Sequence, residues 1–178
     1  MINVTDKEIY FAKIRPQAII PTKKQEDAGY DFYACFDGDY FVIEAGETKG
    51  VPTGIATAFS STYYAQVEER SSMAKLGIKQ SGGVIDSGYR GEWLIMTYNT
   101  NKKPFIISKI PLDDIPQTIE IGGKLYNKTE VILYPATKAI SQVIMQAVPV
   151  LNSNEISYEQ LLEIKSERGT GGFGSSNK

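Results

Sequence analysis

The sequence predicts an all-β domain, a barrel or a sandwich, with one short helix and a flexible glycine-rich C-terminal arm. Short runs of β-branched and aromatic residues recur at close spacing between turn residues such as Gly46, Gly50 and Pro52, a pattern typical of these folds. The length of 178 residues fits one domain. Hydrophobic residues make up 42% of the chain and charged residues 22%, so the chain can build a packed core.

The first half of the chain contains most of the strand predictions. Segments 8–20, 40–44, 51–59 and 63–69 are rich in strand-forming residues, and Pro16 in the first of them indicates an edge strand or a break. A short strand also follows the glycine-led turn at 27–34. The one short helix is predicted at 71–76, because serines stand at its start and a glycine follows its end.

The second half is predicted from turn signals. Segment 83–98 is predicted as a glycine-rich hairpin whose return strand is 92–98, and Gly122–Gly123 as a two-residue turn between further strands. Ser157 and Gln160 fit a capping box before one or two helical turns. We expect a barrel domain over residues 1–166 and a flexible arm over 167–178.

Composition excludes several classes of function. The net charge of −2 and the pI near 5.3 argue against a general nucleic-acid coat, which is basic. The chain has one cysteine, Cys35, and no histidine. An intramolecular disulfide and a Cys/His zinc site are therefore excluded. A catalytic base must be Asp, Glu, Lys or Tyr, and a divalent ion would be held by oxygen.

Two further observations concern location. No apolar run approaches the ~18 residues expected of a membrane span, and the first residues show no signal-peptide pattern. We therefore expect no membrane partner and a cytoplasmic protein.

Arg70, Ser71 and Ser72 open the predicted helix. Amide groups at a helix start, two hydroxyls and a guanidinium are suited to binding a phosphate. On this triplet alone, simple capping of the helix is the more common explanation of the two serines.

The glycine-rich segment that follows supplies a carboxylate and an aromatic side chain. Asp86 could orient a water molecule as a general base, or serve only as a turn residue. Tyr89, between Gly88 and Gly91, could form the floor of a small sugar pocket, or be an ordinary turn tyrosine.

The C-terminal segment 168–176 combines glycines with Arg168, Phe173, Ser175 and Ser176. A linker would need neither the arginine nor the aromatic ring. A lid over a phosphorylated ligand uses both, since Arg168 binds charge and Phe173 stacks on a planar ring. A disordered tail is the alternative for the free protein, and such a tail can order on binding.

These segments together resemble the five-motif signature of the trimeric dUTP nucleotidohydrolases (dUTPases). The matching segments are AGYDF at 28–32 for motif one, RSSMA at 70–74 for motif two, GVIDSGYRG at 83–91 for motif three and RGTGGFGSS at 168–176 for motif five. The resemblance implies a jelly-roll-like β-barrel, a homotrimer with three shared active sites, and hydrolysis of dUTP to dUMP and pyrophosphate.

The resemblance also implies roles for single residues. Asp86 would activate the water that attacks the α-phosphorus, and Tyr89 would pack on the deoxyribose. Gly83 belongs to the motif-three backbone that would read the uracil edge. Ser71 and Ser72 would lie beside the phosphates.

The remaining implied roles concern the metal and the arm. Asp31 would hold waters of a triphosphate-bound Mg²⁺ and pair with Arg70. Arg168 would bind the γ-phosphate and Phe173 would cover the uracil, while Gly174, Ser175 and Ser176 would close on the phosphates.

The sequence departs from the family pattern in motif four and at Gln80. Motif four is degraded, since TKAISQ at 137–142 keeps only Gln142 as the phosphate-side glutamine. Gln80 stands where the family often has asparagine. Because the amide chemistry is kept, we expect Gln80 still to position water.

The number of residues between Asp86 and Gln142 is larger than in compact members of the dUTPase family, which indicates an insertion at about 100–135. This segment is either a surface excursion packed on the barrel or a recognition element for another protein. It resembles the extra segment of some phage-encoded dUTPases that bind repressor-type proteins. If the chain is phage-encoded, it would act in the host cytoplasm.

Two alternatives to a dUTP-hydrolysing enzyme remain. One is a nucleotide-switched protein-binding regulator on a dUTPase fold, in which dUTP orders the arm and changes the surface. The other is an enzyme like dCTP deaminase, which shares the fold. Tyr89 and Phe173 favour uracil over cytosine.

Overall fold

The computed structural model describes residues 4–171, and the all-β prediction is confirmed. Two short helices, α1 (Ser71–Lys75) and α2 (Tyr158–Glu163), and one 3₁₀ turn at Lys128–Glu130 occur in this part of the chain. The strands are β1 (Ile9–Lys13), β2 (Tyr30–Phe32), β3 (Tyr40–Ile43), β4 (Thr48–Pro52), β5 (Ile55–Phe59), β6 (Tyr63–Glu68), β7 (Ile78–Gln80), β8 (Val84–Ile85), β9 (Leu94–Asn99), β10 (Phe105–Ser108), β11 (Thr118–Ile121), β12 (Lys124–Asn127), β13 (Ile132–Pro135) and β14 (Ser141–Ala147).

The strands form five small sheets. Their orders are β2-β14-β6-β8, β4-β9-β7, β13-β10-β3, β1-β5 and β11-β12. The pairs are antiparallel except for β10 with β13. Strand β14 lies between β2 and β6, so that Gln142 stands opposite Asp31 on one side and Glu68 on the other. This register brings motif one and the remnant of motif four together.

The main hydrophobic core shows the alternation expected of a half-buried sheet. Strand β9 alternates exposed and buried residues along its whole length. Just before it, Trp93 is fully buried and stacks on Phe32, with ring centroids 4.9 Å apart and ring planes 4° apart. Phe32 follows Asp31 directly, so this aromatic stack supports the strand that carries motif one.

A second hydrophobic core occupies the region predicted as an insertion. Strands β10 and β13 themselves belong to the three-stranded sheet β13-β10-β3, and Phe105 and Ile107 are fully buried in the main core. The second core consists of Val42, Ile106, Ile115, Ile119 and Tyr126. The chain between β10 and β13 is therefore a packed excursion on the outer face of this sheet.

Polar contacts close the excursion. The Lys128 ammonium donates to the carbonyls of Leu112 and Ile115, each at 2.9 Å.

The predicted turn between β11 and β12 is confirmed, since Gly122 and Gly123 have φ values of 59° and 80°, which a two-residue hairpin turn requires. Whether residues 100–135 are an insertion relative to compact relatives stays a prediction.

The structure contradicts the hairpin predicted at 83–98. Strand β8 pairs with β6, whereas β9 pairs with β4 and β7. The chain from Val84 to Gly91, here called the 84–91 loop, thus consists of the short strand β8 and the start of a connection that passes from one sheet to another. Glycine and turn residues show where a chain reverses, but they do not show which strand pairs with which.

Contacts within the chain divide it into two compact units, Met1–Val148 and Pro149–Lys178. The second unit contains α2, whose predicted capping box is present. The Ser157 hydroxyl accepts from the Gln160 amide at 3.2 Å, and the Gln160 side chain accepts from the Ser157 amide at 2.9 Å. The predicted arm boundary at residue 167 stays a prediction. Within residues 4–171, no helix is long and apolar enough to cross a membrane.

Candidate active site

A polar cavity of about 320 Å³ lies where α1, β2 and β14 meet. It is lined by the loop before β2, the start of α1 and one residue of β14: Asp27, Ala28, Gly29, Asp31, Arg70, Ser71, Ser72 and Gln142. Four sequence-predicted phosphate-side residues and the predicted metal-side aspartate therefore share one cavity. No step of the sequence reasoning placed Asp27 there, although it directly precedes motif one.

The cavity depends on the close approach of two strands. A Cβ atom on Gly29 would lie 2.9 Å from the carbonyl oxygen of Val143, closer than real side chains pack. A glycine at this position lets the loop before β2 lie against β14, and the cavity forms beside that contact.

Helix α1 presents its first residues to the cavity. Arg70 is the N-cap residue, with extended backbone angles (φ −79°, ψ 146°), and its side chain makes no capping bond. Ser71 and Ser72 are the first two helical residues and are exposed. Because Arg70 rather than a serine is the N-cap residue and no side chain makes a capping bond there, capping by the serines does not account for this triplet.

Arg70 is held by two oxygen acceptors. Its Nε lies 3.1 Å from Oδ1 of Asp31, and its NH1 group donates to the carbonyl of Ala139 at 3.2 Å. The two charged side chains are each about a third exposed (32% and 33%). Because Asp31 offsets the charge of the only cation lining the cavity among residues 4–171, a polyphosphate would need further positive charge.

Ser72 and Gln142 are also oriented by neighbours. The Ser72 hydroxyl lies 3.4 Å from the phenol of Tyr134, which donates to the Ala139 carbonyl at 2.8 Å. The Gln142 amide donates to the carbonyl of Glu69 at 3.1 Å. Sequence reasoning missed Tyr134, because a buried tyrosine in a strand carries no motif signal.

Gln80 does not line the cavity. Its amide donates to the Ile140 carbonyl at 3.2 Å and accepts from the Thr97 hydroxyl at 3.2 Å. It braces the segment before β14 in the single chain. The water-positioning role expected of Gln80 stays a prediction.

The 84–91 loop carries Asp86 and Tyr89, and neither residue lines the 320 Å³ cavity. Asp86 is exposed, and its carbonyl accepts from the Tyr89 amide at 3.1 Å. The Tyr89 phenol donates to the carbonyl of Glu92 at 3.1 Å. Arg90 fixes the turn by donating to the carbonyls of Ser87 at 2.6 Å and Thr57 at 3.3 Å.

Gly83 lies where this loop begins. Its carbonyl accepts from the Val67 amide at 2.7 Å, and a Cβ atom on Gly83 would lie 2.8 Å from the Val67 carbonyl oxygen. A side chain at this position would force β6 and the entry to β8 apart. Neither Gly83 nor any residue of the 84–91 loop lines the 320 Å³ cavity.

Of the predicted arm, only the first residues lie in the described part of the chain. The Arg168 guanidinium donates to the carbonyl of Gly171 at 2.7 Å, and Gly169 has a φ of 54°. The predicted lid residues Phe173, Gly174, Ser175 and Ser176 lie outside the described residues.

Comparison with known proteins identifies the family. The dUTPase family model matches residues 15–117. The chain is 31% identical over 170 residues to the deoxyuridine 5′-triphosphate nucleotidohydrolase of Nautilia profundicola, covering 93% of this chain and 96% of that protein. It is 37% identical over 100 residues to the Pol polyprotein of caprine arthritis encephalitis virus, 56% of this chain but 9% of that polyprotein.

A solved structure shows the same fold. The dUTPase of Staphylococcus bacteriophage 80alpha with dUPNHPP superposes with a TM-score of 0.70 at 21% identity, covering 97% of this chain and 99% of that chain. It was reported with the statement that phage dUTPases control transfer of virulence genes by a proto-oncogenic G protein-like mechanism. From the matched family model and the full-length relative, we conclude that this chain belongs to the dUTPase family.

Proposed function

We propose that this chain hydrolyses dUTP to dUMP and pyrophosphate, which removes dUTP and supplies dUMP for thymidylate synthesis. Family membership makes it a dUTP diphosphatase. The observation that supports the reaction most directly is the cavity in which Arg70, Ser71, Ser72 and Gln142 converge. A guanidinium, two hydroxyls and an amide are donors suited to phosphate oxygens.

In the proposed mechanism, the loop side chains act on the nucleoside end and the cavity binds the phosphate end. Asp86 accepts a proton from water as the water oxygen bonds to the α-phosphorus, and the bond from that phosphorus to the bridging oxygen breaks. Pyrophosphate leaves with the bonding electrons. Tyr89 packs on the deoxyribose, and the backbone from Gly83 reads the uracil edge, where a narrow pocket rejects the thymine methyl group.

A homotrimer with shared sites is part of the proposal. No residue of the 84–91 loop lines the phosphate cavity in one chain, so the proposal brings Asp86 to the phosphates from a second copy. Strand β9 directly follows this loop and exposes Leu94, Met96 and Tyr98 on one face. Such an apolar stripe is suited to burial against another copy.

Magnesium fits the site only through water. Among residues 4–171, no group of three or more Asp, Glu or Cys side chains is arranged to hold an ion. The cavity nevertheless has Asp31 and Asp27 at its wall. Mg²⁺ keeps several waters and prefers phosphate oxygens, so Asp31 would hold waters of a triphosphate-bound ion. When bound, the ion would offset the charge that develops on the leaving pyrophosphate.

The arm completes the proposed site. Because Asp31 already offsets the charge of Arg70, a second cation is needed for the triphosphate, and Arg168 is suited to supply it. Phe173 would cover the uracil, and Gly174, Ser175 and Ser176 would close on the phosphates. We place the reaction in the cytoplasm, where the nucleotide pool is used.

The proposed reaction is tested by pyrophosphate release with Mg²⁺. We expect fast release from dUTP and slow release from dTTP, dCTP and UTP. Ammonia release from dCTP would instead indicate the deaminase alternative. Binding of dUTP without any hydrolysis would remove the enzymatic proposal and leave the nucleotide-switched regulator.

A second candidate function is binding of a repressor-type protein through the excursion between β10 and β13. Its own hydrophobic core holds the β11–β12 hairpin in place, and Leu125 on this hairpin is 67% exposed. A large apolar side chain beside a rigid turn is suited to protein recognition. Direct nucleic-acid binding is not part of this proposal.

This second function is tested by release of a phage repressor from its operator DNA. Leu125→Asp should abolish release without changing dUTP hydrolysis. The matched control is Ile14→Asp, another exposed apolar residue, which should release the repressor normally. Equal release by both variants would exclude the hairpin as the binding surface.

A further inference from the structure

Tyr134 connects a buried strand to the phosphate cavity. It lies on β13 and is 4% exposed, and its ring packs at 5.8 Å from the ring of Phe105. A buried phenol needs a hydrogen-bond partner, and Tyr134 donates to the Ala139 carbonyl at 2.8 Å. This carbonyl lies in the segment that precedes β14.

The same carbonyl holds Arg70. Its oxygen accepts from the Arg70 NH1 group at 3.2 Å as well as from Tyr134. The phenol thereby fixes the position of an acceptor on which the cavity guanidinium depends. The other anchor of Arg70 is Asp31, at 3.1 Å.

The phenol also orients Ser72. A tyrosine hydroxyl has one proton, and the short bond to Ala139 uses it. At the 3.4 Å separation of the two oxygens, Ser72 is therefore the donor and Tyr134 the acceptor. This long contact restrains the Ser72 oxygen at the cavity wall.

The strand that carries Tyr134 is held from both faces. In the parallel pairing with β10, Tyr134 stands beside Ile107, which is fully buried. Tyr134 belongs to the main core, whereas its neighbour Leu133 packs against the second core. Alternate residues of β13 thus anchor the strand in two cores, which leaves the phenol little freedom.

We propose that Tyr134 is a positioning residue for phosphate binding: its phenol fixes Ser72 and, through the Ala139 carbonyl, Arg70. This inference rests on the proposed function, because it assigns phosphate oxygens to the cavity. Tyr134 itself does not line the cavity, so it acts through these two residues.

The test compares Tyr134→Phe with wild type in the full-length chain. Calorimetry measures the affinity for inorganic pyrophosphate with Mg²⁺, and steady-state kinetics measures kcat and KM for dUTP. We expect about 3- to 10-fold weaker pyrophosphate binding and a similar rise in KM, the range of one hydrogen bond. The kcat should stay within about 2-fold, because the contact aids ground state and transition state alike.

The matched control is Tyr126→Phe. Tyr126 is also buried, and its phenol donates to Glu44 at 2.6 Å in the second core, away from the cavity residues. Its loss should lower the thermal midpoint and leave pyrophosphate affinity and KM unchanged. If both variants bind pyrophosphate as wild type does, or both weaken equally, the positioning role of Tyr134 is excluded.

Two further outcomes keep the inference separate from the proposed function. Wild type that neither binds pyrophosphate nor hydrolyses dUTP overturns the proposed function itself. If Tyr134→Phe does not fold, Ser72→Ala decides: unchanged pyrophosphate affinity overturns the inference. Where both variants fold, the double variant Tyr134→Phe/Ser72→Ala is also measured. Its fold-loss of pyrophosphate affinity should be smaller than the product of the two single fold-losses, since the two groups act as one unit. Fully multiplicative effects contradict the inference.

Discussion

Asp86 is the only carboxylate of the 84–91 loop. It is exposed in the single chain, and the turn bond from the Tyr89 amide uses its backbone carbonyl rather than its carboxylate. A substitution that preserves shape should therefore leave the loop intact. The chemical role of Asp86 can be measured apart from its structural role.

We predict that Asp86→Asn lowers kcat for dUTP by about 10²- to 10⁴-fold, the usual effect of removing a general base. The thermal midpoint and the binding of a non-hydrolysable dUTP analogue should change little. Asp113→Asn, in an exposed turn of the excursion, is the control and should keep full activity. A normal kcat for Asp86→Asn would remove Asp86 from the mechanism.

Glu44 is a carboxylate that affects stability. Partial burial raises the pKa of its carboxyl, but hydrogen bonds from Lys124 and Tyr126 outweigh this, so the pKa lies below the ordinary value of 4.5. A lowered pKa in the folded state means that ionised Glu44 stabilises the fold above about pH 4.5. This contribution is lost as the pH falls through the folded-state pKa.

We therefore predict that Glu44→Gln lowers the thermal midpoint at pH 7 and that the difference from wild type shrinks below about pH 4.5. Thermal unfolding followed by circular dichroism at several pH values measures the difference. Glu120→Gln, an exposed carboxylate on β11, is the control and should show no such trend. A difference that stays constant down to pH 3 would contradict the assigned pKa direction.

At the scale of elements, the 84–91 loop depends on the absence of a side chain at Gly91. A Cβ atom there would lie 2.6 Å from Cζ and 2.9 Å from Cε2 of Tyr89. The ring would have to move and would lose its bond to the Glu92 carbonyl. At Gly88, in the same loop, an added Cβ would meet nothing within 4 Å.

We predict that Gly91→Ala lowers kcat/KM for dUTP on the order of 10- to 100-fold, because Tyr89 is proposed to pack on the deoxyribose and small displacements of such a ring are costly in rate. Its thermal midpoint should be nearly that of wild type, since the Tyr89 ring is 46% exposed. Gly88→Ala should behave as wild type in both assays. Equal activity of the two alanine variants would exclude a role for the Tyr89 position.

The elements also show how far sequence reasoning reaches. The strand at 92–98, the start of α1 and the capping box at Ser157 are local patterns, and each was predicted correctly. The pairing of β8 with β6 was missed, because pairing depends on contacts between residues distant in sequence. Gln142 reached the cavity despite a degraded motif, since the register of β14 opposite Asp31 places it there.

At the scale of the whole molecule, the candidate site is divided within one chain. The motif segments at 28–32 and 70–74 meet at the cavity, while the 84–91 loop lies apart from it. Periodicity and spacing cannot reveal this division, because they carry no distances between elements. The resemblance to trimeric enzymes supplied the expectation of shared sites, and the single-chain geometry is consistent with it.

A shared site makes a prediction that no single-chain site makes. Arg70→Ala removes the cavity cation and Asp86→Asn removes the proposed base, so each variant alone should be nearly inactive. In oligomers assembled from equal amounts of both, a cavity with intact Arg70 can meet a loop with intact Asp86 from another copy. About a quarter of the sites in a closed symmetric assembly would then have both groups.

We therefore predict that co-refolding Arg70→Ala with Asp86→Asn restores about a quarter of wild-type dUTP hydrolysis, measured as pyrophosphate release. The control pairs Asp86→Asn with Tyr89→Ala, two changes in one loop. Because every loop then carries one defect, no intact site forms and activity should stay low. Restoration of activity in the first mixture alone establishes that each site combines the cavity of one copy with the 84–91 loop of another. No restoration in either mixture would place Arg70 and Asp86 in the site of a single chain.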